Sequence, residues 1–573
     1  MPGGAEEGLR QAQALAQAGR FAEAVQALQG LTRSVPDFFP AQRLLGQLAF
    51  RLGNFDLAVQ ALERALDLSP EDEGCQLALA EILRRAIPQG YQAALDRRLN
   101  ALLGGETVKH QDLALVTARL LKLKHPLPVQ AEALLRDPLL LLLLTRCVLV
   151  DGELERWLTE LRRDSLLRGR GLPRPLQIAL ATQTANNNAA WFVSPEEEAA
   201  LEAALAALPP EPGENELLPI LLYRPLAAHP QAEVLAARAP ETWSAELQPL
   251  LRLSLWDPLE VRRQAEAIPA LDGGRQDRVS QAVRLQYEES PYPRWLHLER
   301  FPASSLAERL RQLFAWFQTP AALEARPLPL LVPGGGTGRQ PLSLARAFPE
   351  TEVLSVDLSR ASLGYAKQRA ARLGIGNVAF LQGDILDLGQ LGRRFPAIAC
   401  TGVLHHLADP LAGWRVLSEL LEPGGAMQIA LYSRLARQDI VLARDRIAAL
   451  GLGDGPEDIR AFRRRILEGE EPELAQLAQE KDFADLHGCR DLLFHRQEHR
   501  FDLAQIAAAL DDLGLEFLGF DLAGPEIARA YAQANPQDPR MTDLTAWQAF
   551  EEANPMIFRT MYNFWCRKPA EDG

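Results

Sequence analysis

The chain has 573 residues, too many for one hydrophobic core, so about two to four domains are expected. Its 47% hydrophobic and 24% charged residues match an ordinary soluble globular protein. A net charge of −14 argues against general nucleic-acid binding, which needs a basic surface for phosphates, while leaving room for a local basic groove. Five cysteines, Cys75, Cys147, Cys400, Cys489 and Cys566, are scattered without paired spacing, so neither a disulfide framework nor a thiolate zinc site is suggested. No basic-then-apolar leader opens the sequence, and the cytoplasm is the expected compartment. The most apolar stretch, 138–150, is unbroken from Leu139 to Leu144 but contains Arg146 and is too short to span a bilayer. It is expected to be a buried helix, and no membrane partner is expected.

The first elements in chain order repeat. Gly19, Phe21, Ala24 and Pro36 recur 34 residues later as Gly53, Phe55, Ala58 and Pro70. Each copy reads as a helix, a glycine turn (AGRF, LGNF), a second helix and a closing proline, which is the pattern of tetratricopeptide repeats. Ala24 and Ala58 let paired helices approach, and Phe21 and Phe55 are expected to fill the gap between them. A third, drifted copy is placed at Gly90, Tyr91 and Ala94. Stacked helix pairs of this kind form a concave surface that grips a peptide or protein segment. The alternative, that the array only shields or dimerises the rest of the chain, stays open. From 105 to 277 the pattern stays helical, rich in Leu, Ala and Arg and cut by prolines. Leu154, Trp157, Leu158 and Leu161 form an amphipathic stripe there. Asn186-Asn187-Asn188 reads as a turn or cap, and Asp272-Gly273-Gly274 as a linker.

The stretch Gln286-Tyr287-Glu288-Glu289-Ser290-Pro291-Tyr292-Pro293-Arg294-Trp295 crowds aromatic and charged residues around two prolines. The prolines argue for extended backbone rather than ordinary helix. Its place ahead of the next domain suits either an aromatic wall over an active-site mouth or a docking strap.

From Leu328 a short apolar strand breaks into Gly334-Gly335-Gly336-Thr337-Gly338 and then becomes a helical pattern through Leu342, Leu344 and Ala345. Such a turn lets backbone approach a ligand closely, with the helix aiming free N–H groups at it. Asp357 ends the next strand, 19 residues after Gly338, where its carboxylate can accept hydrogen bonds from ribose hydroxyls. The glycine order is not the G-x-G-x-x-G of a dinucleotide site. A third strand, 378–382, ends in Gly383-Asp384-Ile385, suiting a carboxylate on an adenine amino group beside an apolar ring contact. A fourth, 397–400, opens into Thr401-Gly402-Val403-Leu404-His405-His406. A fifth, 427–432, comes after the turn Leu421-Glu422-Pro423-Gly424-Gly425.

Over residues 328–432 the chain thus resembles a class I S-adenosylmethionine-dependent methyltransferase, with its last strands expected near the C-terminus. The resemblance implies a multidomain protein: an all-α tetratricopeptide-like array over 1–104, a helical extension over 105–277, a connecting segment over 278–327 and an α/β Rossmann-like seven-stranded domain over 328–573. It implies S-adenosylmethionine as cofactor. Gly334, Gly336 and Gly338, with Thr337 between them, would pack against its methionine and ribose. Asp357, followed by Leu358, would bind the ribose, Asp384 and Ile385 the adenine, and Thr401 and Gly402 the methionine end. One departure stands out: the acidic residue often found two positions before the first motif glycine is Val332 here.

After Tyr432 comes a segment, 433–500, that a minimal methyltransferase lacks. It is placed at the carboxyl edge of the sheet, where acceptors bind, and reads as a lid carrying Arg434, Arg437, Asp439, Asp485, His487, Arg490, Asp491, His495, Glu498 and His499; a solvated helical excursion is the alternative. His495-Arg496-Gln497-Glu498-His499 spells H-x-x-E-H, a helical zinc-protease motif. So short a match is weak beside a complete nucleoside site, and no metal is expected. For chemistry, His406 and Tyr432 are the candidate catalytic residues, with His405 beside them, and a base is needed only if the acceptor must lose a proton. Cys400 lies near but is not supported as a nucleophile. The Asp/Asn-Pro-Pro-Tyr/Phe signature of nucleobase-amine enzymes is absent. Three readings stand: methylation of a protein or peptide side chain recruited by the array, methylation of a small molecule, and a cofactor-binding scaffold without turnover.

Overall fold

The computed structural model describes residues 2–127, 131–271, 278–298 and 302–570, and the expected linker Asp272-Gly273-Gly274 lies outside the described residues. The chain forms two compact units. One holds the chain up to Asn186 together with Ser194–Tyr223; the other holds Asn187–Val193 and everything from Arg224 onward.

The first unit is all helical. Helices Pro2–Gln17 and Phe21–Ser34 pack as a pair, and Phe39–Arg51 packs likewise on Phe55–Leu68. Gly19 and Gly53 take left-handed backbone (φ 76° and 77°) between or just before the paired helices, a conformation glycine adopts without steric penalty. Ala24 and Ala58 are fully buried, as close helix approach requires. The repeat runs deeper than its consensus residues: the Gln42 amide donates to the Pro36 carbonyl (2.9 Å), and Gln76 does the same to Pro70 (2.7 Å). Phe55 departs from expectation. It stands at the first position of its helix, 45% exposed, where it meets Phe50, while Phe21 is half-buried under the Arg51 guanidinium. Tyr91 of the drifted copy is exposed too, and the helix after it, Ala93–Gly104, packs on Pro138–Arg146. That second helix contains the leucine run, and Leu139, Leu140, Leu143 and Leu144 are fully buried. No helix among the described residues is long and apolar enough to cross a membrane.

The second unit is built on a seven-stranded sheet. Its strands are β1 (Leu328–Pro333), β2 (Thr351–Asp357), β3 (Val378–Gln382), β4 (Phe395–Thr401), β5 (Leu421–Leu431), β6 (Glu516–Phe520) and β7 (Tyr562–Arg567). Their order is β3-β2-β1-β4-β5-β7-β6, with β7 antiparallel to both neighbours and the other pairings parallel. The order reverses between β1 and β4, the switch point where ligands bind in open α/β sheets. Successive residues alternate between two hydrophobic clusters, Leu331, Ile398 and Cys400 in one, Leu330, Val332, Ala397 and Ala399 in the other. Both faces of the sheet are therefore covered. The segment read as a turn at Leu421–Gly425 is drawn into β5. Gly424 there has φ 75°, and the pairing with β4 shifts register between Phe395 and Ala397. The 433–500 insertion has a core of its own around Ile459, Phe462, Leu477, Phe483, Cys489 and Leu493, joined by Ala190 from the asparagine turn. In that turn Asn188 and Ala189 are left-handed (φ 53° and 58°), and the Asn188 amide links Asp485 (2.7 Å) to Arg294 (2.9 Å).

The aromatic segment before β1 needs correction. Gln286 to Glu289 are the last residues of a helix, Arg278–Glu289, and the non-helical strap begins only at Ser290. Proline restricts the residue before it, so the helix ends just ahead of Ser290-Pro291, not four residues earlier.

Candidate functional site

A cavity of about 710 Å³ opens at the carboxyl ends of β1, β2, β3 and β4. Its wall includes Gly334, Gly336, Asp357, Leu358, Asp384, Ile385, Thr401, Gly402, His406 and Tyr432. Thus ten of the twelve residues singled out from sequence share one hollow. The other two shape it from behind. Gly338 (φ 90°) is the N-cap of helix Arg339–Ala347, where a Cβ would strike that of Ala366 at 2.6 Å. Thr337 is buried, its hydroxyl donating to the Pro293 carbonyl and its own carbonyl accepting from the Trp295 indole (3.0 Å).

The glycine turn is set by backbone demands. Gly334 and Gly336 have φ 67° and 53°, and a side chain on Gly334 would drive into Val403. Asp357 braces the turn: Oδ2 accepts from the Gly336 N–H (2.8 Å) and Oδ1 from the Ser359 N–H (2.9 Å). Burial raises its pKa to about 6, with Glu288 adding to the rise and the two N–H bonds opposing it. Asp384 caps the turn after β3 by accepting from the Leu386 N–H (3.0 Å). These groups leave a side-chain-free bend facing two carboxylates, a fit for the ribose and adenine of an adenosyl group. Val332 is fully buried in β1, and the amides of Gln340 and Asn563 stand on the cavity wall, joined through Gln428 (3.5 Å and 3.0 Å).

The strap is bound to this turn. Tyr365 donates to the Trp295 carbonyl (2.9 Å), Arg369 lies over the Trp295 ring, and the Ser359 hydroxyl donates to the Tyr287 carbonyl (3.0 Å). The Glu288 carboxylate accepts from the N–H groups of Arg360 (2.8 Å) and Ala361 (3.0 Å) at the start of the next helix.

At the other end the wall is supplied by Tyr287, Tyr292, Lys481, Asp482, Asp491 and Met561. Tyr287 donates to Asp491 Oδ1 (2.6 Å) and Tyr292 to Asp482 Oδ2 (3.0 Å). Burial pushes both phenols well above their ordinary pKa, and the facing carboxylates add to it. Burial also lifts Asp491 to about 7, helped by Asp482 and opposed by the Tyr287 hydrogen bond. Tyr432 is clamped between the His405 ring (centroids 3.9 Å apart) and the Arg437 guanidinium (3.6 Å), which pairs with Glu498 (2.8 Å). Asp482, Lys481, Met561 and Asn563 were not legible in the sequence. Lys481 and Asp482 open a one-turn helix, Lys481–Ala484, Met561 stands just before β7 and Asn563 lies within it, so their only shared signal is proximity in space.

The H-x-x-E-H segment is not a zinc helix: the helix Leu486–Phe494 stops before His495. Instead His406, Asp491 and His495 come together, each offering an atom within 4.8 Å of the others. Hydrogen-bond directions assign the tautomers. His495 Nδ1 accepts from the Gln497 N–H (3.1 Å), so its hydrogen is on Nε2, facing the Tyr287 oxygen (3.2 Å). A nitrogen carrying hydrogen offers no lone pair to a metal, so His495 in this tautomer is joined to Asp491 through the Tyr287 hydroxyl, and His406 stacks on the His495 ring. His406 Nδ1 donates to the Gln497 carbonyl (2.8 Å), which leaves its Nε2 unprotonated, while burial lowers its pKa to about 4. Cys400 is fully buried, and burial raises its thiol pKa, which excludes a thiolate.

The Methyltransferase domain family matches residues 331–427, and the Tetratricopeptide repeat family matches residues 9–73. The chain is similar to an uncharacterized protein of Synechococcus sp., at 30% identity over 48% of this chain and 68% of that protein. It is similar to the demethylmenaquinone methyltransferase of Chlamydia pneumoniae, at 32% identity over 16% of this chain and 40% of that one. Among solved structures, PKMT2 from Rickettsia typhi in complex with AdoHcy is 18% identical over 48% of this chain and 55% of that chain, with a TM-score of 0.37. The chain therefore spans roughly 40 to 68% of the length of these relatives. It carries an S-adenosylmethionine-dependent methyltransferase domain, with tetratricopeptide repeats at its N-terminal side.

Proposed function

We propose that the protein methylates an amine on a protein or peptide side chain that the repeat array recruits. The observation that carries this reading is the acidic acceptor end of the cavity, where Asp482 and Asp491 face the hollow beneath Tyr292 and Tyr287. Two carboxylates among aromatic rings suit an acceptor that arrives as a cation. When bound, S-adenosylmethionine supplies a methyl group on a positively charged sulfur, open to direct displacement. The chain's own residues then have three tasks. Asp357, Asp384 and the glycine turn hold the adenosyl group. The clamped Tyr432, the helix residue Tyr287 and the strap residue Tyr292 line up the acceptor. Packing of the strap and the insertion around the cavity excludes water. Amine and methyl must meet in line, which rigid walls secure, and an acceptor that arrives as an ammonium must first lose a proton.

A second reading, a small-molecule acceptor, draws support from the quinone-pathway name of one relative. A third, a scaffold that binds the cofactor without turnover, shares the same adenosyl pocket. One experiment separates them. The full chain is incubated with cell extract and methyl-labelled cofactor, and the extract is then divided into protein and small-molecule fractions. Label on protein lysines or N-termini supports the proposal, and label confined to small molecules favours the second reading. Cofactor binding with no label transferred leaves the scaffold.

A further inference from the structure

We propose that Asp491 is the group that takes the acceptor's proton, with Tyr287 and His495 as its positioning residues. The inference rests on the amine-methyltransferase reading of this pocket. Its basis is geometric. Asp491 lies on the cavity wall yet is only 4% exposed. Its Oδ1 is fixed by the Tyr287 hydroxyl at 2.6 Å, and its Oδ2 makes no hydrogen bond among the described residues. The Tyr287 oxygen is held in turn by His495 Nε2 at 3.2 Å. One carboxylate oxygen is thus anchored and the other is left for the ligand.

The neighbouring candidates fit less well. His406 presents an unprotonated Nε2, but its ring is stacked on His495 at 3.7 Å, and a nitrogen with pKa about 4 is a poor proton acceptor at neutral pH. Tyr432 is held neutral by burial. Asp491, at about 7, is poised near the working pH. The charged and titratable groups around it are Tyr287 from helix Arg278–Glu289, Tyr292 from the strap, Tyr432 after β5, Asp482 from the short helix Lys481–Ala484 before its own, Arg437 and Arg444 with Glu498, and His406 with His495.

The step balances. The acceptor arrives as an ammonium and passes one proton to the Asp491 carboxylate, which becomes a carboxylic acid. The freed lone pair on nitrogen forms the N–C bond as the S–C bond breaks, and that electron pair stays on sulfur as a neutral thioether. The product carries the positive charge as a methylammonium, and Asp491 returns its proton to water once the product leaves.

The test needs no identified acceptor. In sinefungin a carbon bearing –NH3+ replaces the sulfonium and its methyl, so it places an ammonium at the reacting position. Its affinity and that of S-adenosylhomocysteine are measured by calorimetry on the full chain from about pH 6 to pH 8.5. The wild type should prefer the ammonium analogue by about tenfold or more at high pH, since a hydrogen bond between charged groups is worth about that factor, and the preference should fall as pH drops through about 7. Asp491→Asn should bring the ratio to within about twofold of unity at every pH while leaving S-adenosylhomocysteine binding within about twofold. Tyr287→Phe removes the hydrogen bond that favours the ionised form, so the midpoint of the pH dependence should move upward, a shift that a purely structural loss would not produce. If Asp491→Asn keeps the preference, or loses S-adenosylhomocysteine as well, the assignment is overturned. If the wild type binds neither compound, the methyltransferase reading itself fails.

Discussion

Cofactor affinity should depend on pH through Asp357. Its carboxylate is buried among the glycine turn, the start of the following helix and Glu288, and its pKa is raised to about 6. Ribose hydroxyls donate to the ionised form, so binding strengthens as pH rises through that value. Full ionisation holds at about pH 7.5, whereas at pH 5 only about one molecule in ten is ionised, which predicts roughly tenfold weaker binding. Below about pH 6 the dissociation constant should rise close to tenfold per unit, a slope of one proton. The cofactor's own amino group, with a pKa near about 8, and its carboxyl, far lower, stay in one form across most of this window. The assay is calorimetric titration with S-adenosylhomocysteine at half-unit steps. Asp357→Asn supplies the control. It leaves two ribose hydroxyls to a neutral acceptor, a loss of about 1–1.5 kcal/mol per bond, so affinity should drop by tens to hundreds of fold and the acidic limb should vanish. A flat wild-type profile, or an acidic limb that survives in Asp357→Asn, refutes the reasoning. Stability of the unliganded chain takes the opposite sign. The folded form holds this proton to higher pH than the ordinary 3.8, so the group's contribution declines as pH rises from about 4 to about 6.

Other expectations come from packing. Gly338→Ala places a Cβ 2.6 Å from that of Ala366 at a position with φ 90°, and should sharply weaken S-adenosylhomocysteine binding by displacing the turn. Trp295→Ala removes a ring only 4% exposed together with its hydrogen bond to Thr337, a loss of about 3–5 kcal/mol visible in urea unfolding, with earlier proteolysis in the strap. Arg437→Met leaves the buried Glu498 carboxylate with only Arg444, 3.5 Å away, and should destabilise by about 1.5–3 kcal/mol. Adding Glu498→Gln should recover much of that loss, which a double-mutant cycle reads directly. In the array, Ala58→Leu crowds a helix contact that is fully buried and should cost about 1–3 kcal/mol by circular dichroism melts.

Legibility in the sequence tracked the range of the interactions. The seven-stranded domain declared itself through local signals: a strand, a turn that only glycines can make at Gly334 and Gly336, and an acid at a fixed distance in Asp357. The repeat declared itself through its 34-residue period, down to the shared burial of Ala24 and Ala58. The acceptor end did not, because its wall is assembled from residues far apart in the chain. Tyr287 meets Asp491 across 204 positions and Tyr292 meets Asp482 across 190, with no periodicity to announce either pair. The H-x-x-E-H string shows the converse failure. Its letters match a helical metal site, yet the helix ends at Phe494 and Glu498 turns to Arg437. Phe55 failed for a related reason, since periodicity places a residue on a face but cannot say whether anything covers the end of that face.

The same pairs explain how a widespread cofactor fold acquires a particular acceptor pocket. The end of helix Arg278–Glu289 and the strap after it are bound to the cofactor turn through Trp295, Thr337 and Pro293, and to the insertion through Tyr287–Asp491, Tyr292–Asp482 and the contact of Lys481 with the Arg294 carbonyl (2.7 Å). The backbone of Tyr292 also stands 3.0 Å from where a Cβ on Gly336 would lie. One short segment therefore touches the cofactor turn with its backbone and the acceptor wall with its side chains. Ordering of the turn by a bound adenosyl group should then steady the tyrosines that hold Asp482 and Asp491. That coupling has a thermodynamic consequence: whatever strengthens acceptor binding when the cofactor site is filled must strengthen cofactor binding by the same factor when the acceptor site is filled. Tyr292→Phe keeps the backbone contacts at Gly336 and breaks the hydroxyl link to Asp482. It should leave S-adenosylhomocysteine affinity nearly intact while reducing the preference for sinefungin, separating the two ends of the strap by a single oxygen atom.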